Sequence, residues 1–271
     1  MSGRAEDCPS RAYAAGVDEW SSGEIYESYV GRWSREVAKE FLSWLDQPPG
    51  LRWLDVGCGT GALTGTVLST AGPVEVVGVD RSEGFVEYAR KTVEDERVRF
   101  EVRAAEELTD ESFDVVVSGL VLNFLPERLE VLRHLRAIGA TVAVYVWDYA
   151  GGMQLMKYFW DAAVDLRPAD REFDEGARFP FCNPDGLEGL FTAAGFSDVT
   201  TRAIVVPTVF KSFDDYWTPF LGGQGVAPAY LRGLDEPAQE ALRDELKARL
   251  PIAEDGPISL TARAWAARGK S

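Results

Sequence analysis

The sequence predicts a doubly wound α/β fold: a parallel sheet covered by helices on both faces, with helical insertions in its second half. Three observations carry this expectation. Short Val-rich runs recur up to Trp147, each followed by a segment of helical length and periodicity. A glycine-rich turn, Gly57-Cys58-Gly59-Thr60-Gly61, stands directly behind the first of those runs. After Trp147 the rhythm gives way to aromatic and acidic segments, and strand character returns twice.

Taken in order, residues 1 to about 20 lack periodic apolar positions and are expected to form a loose tail. From Glu24 to Leu45, the residues Tyr29, Trp33, Val37, Phe41 and Leu45 recur every fourth position, which predicts a leading helix with one buried face. Asp46-Gln47-Pro48-Pro49-Gly50 stops it. LRWLDV, residues 51–56, reads as the first strand, and Gly61 to Thr70 as a helix. Val74–Val79 is the second strand, and Ser82 caps the helix that carries Phe85, Val86 and Ala89. Val98–Val102 and Phe113–Ser118 are the third and fourth strands. Pro126 suits the first turn of the next helix, with Leu129, Leu132 and Leu135 facing inward, and Thr141–Trp147 is the fifth strand.

Residues 148–183 read as a helical cap insertion. Asn183-Pro184-Asp185 starts a helix that Gly195 ends, and Phe196–Val206 is a strand. A second helical insertion covers 208–256, and Ile258–Ala267 alternates as a closing strand. The expected division is a tail at 1–20, a cofactor-binding core with its leading helix at 21–147, the first insertion at 148–183, core again at 184–207, the second insertion at 208–256 and a final strand at 257–271.

The 271 residues, 46% of them hydrophobic, suffice for one large domain with a cap, and eight tryptophans leave rings for a pocket. A formal charge of −16 argues against a nucleic-acid partner, whose phosphates are met mainly by Lys and Arg. Cys8, Cys58 and Cys182 have no metal or redox spacing and read as free thiols of a reducing compartment. The first sixteen residues lack the apolar core of a secretory signal, and the most apolar window, from Phe113, is too short to cross a bilayer. The expectation is a cytoplasmic protein with no membrane contact and no metal.

The turn after the first strand of such a sheet is the usual ligand position. Glycines admit positive φ and let a ligand approach without a Cβ, while the next helix points free N–H groups at the site. Gly57-Cys58-Gly59-Thr60-Gly61-Ala62 formally satisfies the dinucleotide pattern, with Asp80 about twenty residues on. Two features pull elsewhere. The third glycine falls early, and Asp55 stands two residues ahead of the first. An ionised Asp55 repels a pyrophosphate but favours an ammonium. The turn therefore suits an aminoacyl nucleoside such as S-adenosylmethionine better than a dinucleotide.

LDVGCGTGALT, VVGVDRSEGFVEYAR and AAEELTDESFDVVVSGLVLNFLPE, in that order across about residues 24–147, resemble the class I S-adenosylmethionine-dependent methyltransferases. Within these the chain is most similar to the small-molecule group of ubiquinone and menaquinone biosynthesis. YVGRWSREVA (29–38), YVWDYAGGM (145–153) and FDDYWTPFLGGQG (213–225) resemble a bacterial branch of that group. The resemblance implies a Rossmann-like, doubly wound seven-stranded sheet, mostly parallel with one antiparallel strand, plus helical caps. It implies S-adenosyl-L-methionine as cofactor and a small-molecule acceptor methylated on O, N or C.

The resemblance also implies roles. Asp55, Gly57, Gly59 and Gly61 would line the methionine moiety, Asp80 would hold the ribose hydroxyls, and Arg81 would flank the adenosine. Ala105 and Glu106 would meet the adenine edge. Leu120 and Asn123 would flank the sulfonium and the underside of the adenine, and Tyr26 and Arg32 would close over the cofactor. The chain departs from the family at Ala104, where an Asp for the adenine amine is common. It departs again at Ala137-Ile138-Gly139-Ala140, in place of Pro-Gly-Gly.

Other readings stand beside these. Each glycine also serves a tight turn, Asp80 could cap the helix after it, and Arg32 reads equally as a solvated charge. Cys58 fills the turn. His134, the single histidine, falls between inward leucines and reads as a surface residue rather than a base. A base, if the acceptor must lose a proton, would be sought among Asp148, Tyr149, Asp214 and Asp215. The competing functions are a non-catalytic S-adenosylmethionine-binding module and a nicotinamide-dependent oxidoreductase.

Overall fold

Period-two and continuous Val-rich runs become strands here, and amphipathic runs become the helices between them. The computed structural model describes residues 31–108, 111–222, 225–253 and 256–271; Tyr26, Tyr29, Cys8 and the expected tail lie outside them. Among these residues the chain runs α1 (Arg32–Leu45), β1 (Arg52–Val56), α2 (Ala62–Thr70), β2 (Glu75–Asp80), α3 (Glu83–Thr92), β3 (Val98–Val102), β4 (Phe113–Gly119), α4 (Arg128–Ile138) and β5 (Gly139–Trp147). It continues through α5 (Gln154–Leu166), α6 (Glu175–Arg178), α7 (Pro184–Ala194), β6 (Ser197–Phe210), α8 (Phe213–Leu221), α9 (Val226–Gly233), α10 (Glu236–Arg249) and β7 (Ile258–Lys270).

The strands form one sheet in the order β3-β2-β1-β4-β5-β7-β6. β7 runs antiparallel to both neighbours and the other pairs are parallel. The fold is the Rossmann-like sheet with one antiparallel strand that the sequence led us to expect. Chain order reverses between β1 and β4, so a crevice opens beyond their carboxyl ends. Asp55 lies opposite Gly78 of β2 and Val117 of β4, one residue short of that crevice.

Helix α1 buries Trp33, Val37, Phe41 and Leu45, the four-residue stripe, against the sheet. Its terminal carbonyls at Trp44 and Leu45 receive Arg268 Nη1 from β7 at 3.2 and 3.1 Å, a cation at a helix C-terminus. Helix α7 follows its punctuation. The Asn183 side chain accepts from Gly186 N–H, Pro184 takes the first turn, and Gly195 at φ 89° ends it.

Four boundaries differ from expectation. Helix α2 begins at Ala62, because Gly61 is its left-handed N-cap. Pro126 lies ahead of α4, whose N-cap is Glu127, so the proline belongs to the approach and not to the first turn. The segment around Gly139 is no separate turn: Gly139 caps α4 and opens β5 at once. Strand β6 extends to Phe210, since Ile204, Val206, Thr208 and Phe210 alternate into the core.

The helices at 148–183 and 213–249 interlock through aromatic rings. Phe159 stacks on Phe220 at 4.6 Å, Trp160 meets Tyr230 at 5.2 Å, and the Tyr216 hydroxyl donates to the Leu155 carbonyl at 2.9 Å. Each buried ring pair adds about 0.5–1.5 kcal/mol beyond its buried area.

Candidate active site

A cavity of about 330 Å³ opens beyond the carboxyl ends of β1, β2, β4 and β5. One wall is the turn behind β1, where Gly57 and Cys58 donate their N–H groups to the Val79 carbonyl at 2.8 and 3.0 Å. Gly59, at φ 52°, lines the cavity, and a Cβ placed on it meets no protein atom within 4 Å. The bare backbone there faces room for a ligand. Gly61 does not line this cavity. Its missing Cβ makes space instead for Val93, whose Cγ2 would stand 2.9 Å away, and for Ala89 and Phe100. That glycine serves the packing of α2 on α3.

Asp80 ends β2 and joins two loops: Oδ2 accepts Gly59 N–H at 2.9 Å and Oδ1 accepts Ser82 N–H at 2.8 Å. The helix after it is capped by Ser82, so Asp80 is not that cap. Burial raises the Asp80 carboxyl above its ordinary range, against the lowering by those two N–H groups. Asp55 is buried in the same wall. Its Oδ2 accepts the Thr64 hydroxyl at 2.6 Å, while Oδ1 has no hydrogen-bond partner among the described residues. Burial pushes its pKa up to about 7; the Thr64 hydroxyl opposes this and the nearby Asp80 charge adds to it. Cys58 lines the turn, and burial, then Asp55 and Asp80, push its thiol well up, so it stays protonated and unreactive.

Leu120, just after β4, holds φ 64°, a conformation rarely adopted by a residue with a branched side chain, and it lines the cavity. Its N–H donates to the Tyr145 carbonyl at 2.8 Å, which locks the turn to β5. A smaller hollow of about 100 Å³ adjoins, lined by Asp80, Arg81, Ala104, Ala105 and Glu106. There Arg81 Nη2 meets the Glu106 carboxylate at 2.9 and 3.0 Å. The Ala104 N–H is taken by Glu107, Oε2 at 2.9 Å.

Two other expected site residues stand apart from the cavity. Asn123 is buried behind its wall, 3.5 Å from the Tyr149 hydroxyl. Arg32 does not close over the cavity: its Nη1 binds Asp215 Oδ1 of α8 at 3.0 Å, and its guanidinium lies 4.5 and 4.7 Å from the rings of Trp33 and Phe210. The contribution of α1 to the cavity is Ser34.

The base candidates separate in the same way. Asp148 is held by Arg263 Nε at 2.6 Å and Trp265 Nε1 at 3.1 Å, a clamp between β5 and β7. Asp214 pairs with Arg243 and Asp215 with Arg32. Tyr149 alone of the four lines the cavity. His134 is half-buried where α4 packs on the Ala105–Glu107 turn, with Nε2 enclosed; it is neither a surface residue nor a cavity residue.

Sequence reasoning missed the far wall. Tyr145 and Trp147 of β5, Phe124, Met156 of α5 and Glu175 of α6 all line the cavity. Glu175 is 5% exposed, and its Oε2 accepts Trp160 Nε1–H at 2.5 Å. The one sequence signal for it was an acid between two phenylalanines, Phe173 and Phe179, in an aromatic segment.

The family of methyltransferase domains matches residues 54–139, the span from β1 to the start of β5. The chain is 36% identical over 188 residues to the ubiquinone biosynthesis O-methyltransferase of Ruegeria pomeroyi, covering 64% of this chain and 71% of that protein. This chain is a class I S-adenosylmethionine-dependent methyltransferase. It is also 28% identical over 261 residues to the 2-methyl-6-phytyl-1,4-hydroquinone methyltransferase of Synechocystis sp., covering 85% of this chain and 80% of that one. The fold of the phosphoethanolamine N-methyltransferase 2 of Haemonchus contortus superposes with a TM-score of 0.53 at 18% identity, covering 92% of this chain and 56% of that one.

The methyltransferase uses S-adenosyl-L-methionine, and membership of this family sets aside the oxidoreductase reading. Two features of the cavity fit that cofactor. The unpartnered Asp55 Oδ1 suits an ammonium, and the backbone cradle at Gly59 would be filled by any larger residue. No helix among the described residues is long and apolar enough to cross a membrane.

Proposed function

We propose that this methyltransferase acts on an uncharged, flat small molecule bearing a hydroxyl, a phenol or hydroquinone in chemical class, and methylates it on oxygen. One observation carries this reading. Beyond the glycine turn the cavity is walled by Tyr145, Trp147, Tyr149, Phe124 and Met156, and among the described lining residues Arg81 is the single cation. Arg81 is already engaged by Glu106 at the opposite end. A carboxylate or phosphate acceptor would enter an apolar, acid-bearing chamber without a partner, at a cost of several kcal/mol. A neutral ring loses nothing comparable and gains face-to-edge contacts. One relative is named for a hydroquinone acceptor, and another is named as an O-methyltransferase of ubiquinone biosynthesis.

In this reading Asp55 holds the ammonium of the cofactor, Gly57 and Gly59 give its methionine chain room, and Asp80 takes the ribose hydroxyls. Arg81, Ala105 and Glu106 border the adenine, and Leu120 borders the sulfur. Bound there, the cofactor supplies an electrophilic methyl carbon on sulfur with a neutral thioether as leaving group. The rest is alignment. Holding the acceptor atom within about 3–3.5 Å of that carbon removes most of the entropic cost of encounter. The dry aromatic wall keeps competing water away. Residues 148–183 act as the cap that shapes the acceptor end, through Tyr149, Met156 and Glu175. Residues 208–256 buttress that cap from behind, through Phe220 on Phe159 and Tyr230 on Trp160.

The test has two parts. Calorimetry with adenosylhomocysteine should show stoichiometric binding. Transfer of labelled methyl from S-adenosylmethionine should then favour neutral phenols and hydroquinones over di- and tricarboxylates by at least tenfold in kcat/KM. Equal or better turnover of carboxylates would overturn the acceptor class while leaving the cofactor site intact.

A further inference from the structure

We infer that the indole N–H of Trp147 donates to a second oxygen of the acceptor, set across the ring from the hydroxyl that is methylated, and that Trp147 thereby selects acceptors carrying such a pair. The inference rests on the acceptor class proposed above and narrows it. Tyr145, Trp147 and Tyr149 stand at alternate positions, and all three line the cavity. Of the tryptophans among the described residues, Trp147 alone does so.

Trp147 is 3% exposed, yet none of the described residues accepts its Nε1–H. A buried indole N–H ordinarily finds a partner. Two tryptophans nearby do: Trp160 donates to Glu175 at 2.5 Å and Trp265 to Asp148 at 3.1 Å. Trp53 Nε1 also lacks a partner, but it is sealed in the core. Trp147 Nε1 is not sealed, and the space its ring borders is the cavity.

The segment that carries the ring, YVWDYAGGM, holds it in place. Asp148, next in the chain, is turned to β7, where it accepts from Arg263 Nε at 2.6 Å, and it also takes Gly151 N–H at 3.1 Å. Its own N–H donates to the Arg263 carbonyl at 2.9 Å, and its carbonyl accepts from Met153 N–H at 2.7 Å. A Cβ on Gly152 would stand 2.5 Å from the Arg263 Cβ, so the turn closes directly on β7. The backbone beside Trp147 is therefore fixed before any ligand arrives, which is what a positioning contact requires.

An indole N–H donates and cannot accept, so the atom it meets carries a lone pair: a hydroxyl, ether or carbonyl oxygen. The oxygen under attack is not that atom. Leu120 borders the sulfur, its N–H donates to the Tyr145 carbonyl at 2.8 Å, and the Tyr145 hydroxyl lies where a Cβ on Gly119 would be. Trp147 is one same-face step farther along the chain, about 7 Å, roughly the breadth of a substituted ring. A flat acceptor with one hydroxyl at the sulfur thus brings the substituent on its far side to the Trp147 N–H. An oxygen there satisfies the donor, whereas a methylene leaves it buried without a partner.

The experiment uses the full chain with nitrogen-15 in its tryptophan indoles. W147F removes one indole signal and so assigns it. Adding 4-methoxyphenol to the adenosylhomocysteine complex should move that signal downfield, and 4-ethylphenol, of the same shape, should not. A downfield move with adenosylhomocysteine alone would give the donor to the cofactor and overturn the inference. In methyl transfer the wild type should favour 4-methoxyphenol over 4-ethylphenol about tenfold in kcat/KM, without a like preference for 2-methoxyphenol over 2-ethylphenol. A second variant replaces Trp147 by benzothienylalanine, which keeps the ring size and carries sulfur in place of the N–H. Both variants should bring the tenfold ratio to about twofold or less, with adenosylhomocysteine affinity, the check on folding, within about threefold of wild type. No turnover of any phenol would overturn the acceptor class and this inference with it. Turnover of the phenols without the 4-methoxy preference, an equal preference in the 2-substituted pair, a preference that survives in either variant, or a Trp147 signal unmoved by 4-methoxyphenol would each overturn the role of Trp147 alone.

Discussion

Asp80 accepts the backbone N–H of Gly59 at 2.9 Å, so the tip of β2 and the turn behind β1 are tied by one carboxylate. The same group takes Ser82 N–H through its other oxygen and opens α3 from the cavity side. Charge-assisted bonds of this kind contribute about 1.5–3 kcal/mol each. D80A should therefore weaken adenosylhomocysteine binding by about 30-fold or more in calorimetry, since both the tether and the proposed ribose contact go. D80N keeps an acceptor for Gly59 and should lose less.

Asp55 should make cofactor binding pH-dependent. Its carboxyl is pushed up to about 7 by burial in the bare protein. An ammonium partner binds the ionised form. Affinity for adenosylhomocysteine should rise as pH increases from 6 to 8 and level off above that, and D55N should flatten the profile. Flat binding from pH 6 to 8 in the wild type would count against Asp55 as the ammonium site.

The same shift carries a stability consequence of opposite sense. Between the unfolded value, about 4, and the folded value, about 7, the folded state holds a proton that the unfolded state has released. Stability from this group is fully present below pH 4 and is lost as pH rises through 7, by up to ~4 kcal/mol. D55N keeps an acceptor for Thr64 and removes the buried charge. It should melt above the wild type at pH 8 and nearly with it below pH 4.

Two of the three left-handed glycines of the turn, Gly59 and Gly61, should part company on mutation. G59A adds a methyl group that meets no protein atom but stands in the cavity. Its folding cost is the backbone strain alone, about 1–2 kcal/mol, while cofactor binding should fall at least 100-fold. G61A carries the same strain plus a 2.9 Å contact with Val93, and overpacking of this kind costs about 1–3 kcal/mol more. It should lower the urea midpoint further than G59A, with a smaller loss of affinity in the folded fraction.

Arg32 should behave as a structural latch. It joins α1 to α8 through Asp215, and both side chains are about 30% exposed, so the pair itself contributes under 1 kcal/mol. Stacking near Trp33 and Phe210 adds a similar amount. R32A should lose about 1 kcal/mol of stability and leave adenosylhomocysteine affinity within threefold. A tenfold loss of affinity would restore Arg32 to the cofactor site.

The sheet and the cradle at its centre were legible in the sequence because their signals are local. Strand β1, the turn and α2 are contiguous, and a two-residue or four-residue period is set by the backbone geometry of one element. Asp80 could be placed at a strand tip because the Val-rich run before it ends there. Even the closing strand β7 could be read from its own alternation. The ends of elements were less legible. The reach of β6 to Phe210 and the position of Pro126 depend on what packs against them, not on the residues' own preferences.

The far wall and the fates of the polar side chains were decided by tertiary structure. Arg32 and Asp215 are 183 positions apart, and no period relates them. Gly61 and Gly59 are equivalent as letters in one motif, yet Val93 and Phe100 stand against the first and open space against the second. Asp148 was chemically a candidate base until β7 brought Arg263 and Trp265 to it. Local sequence determines which backbone forms and where it turns. Which carboxylate is neutralised by a partner and which is left facing a cavity is settled only when elements distant in the chain pack together, because Coulomb and desolvation energies depend on distance through space.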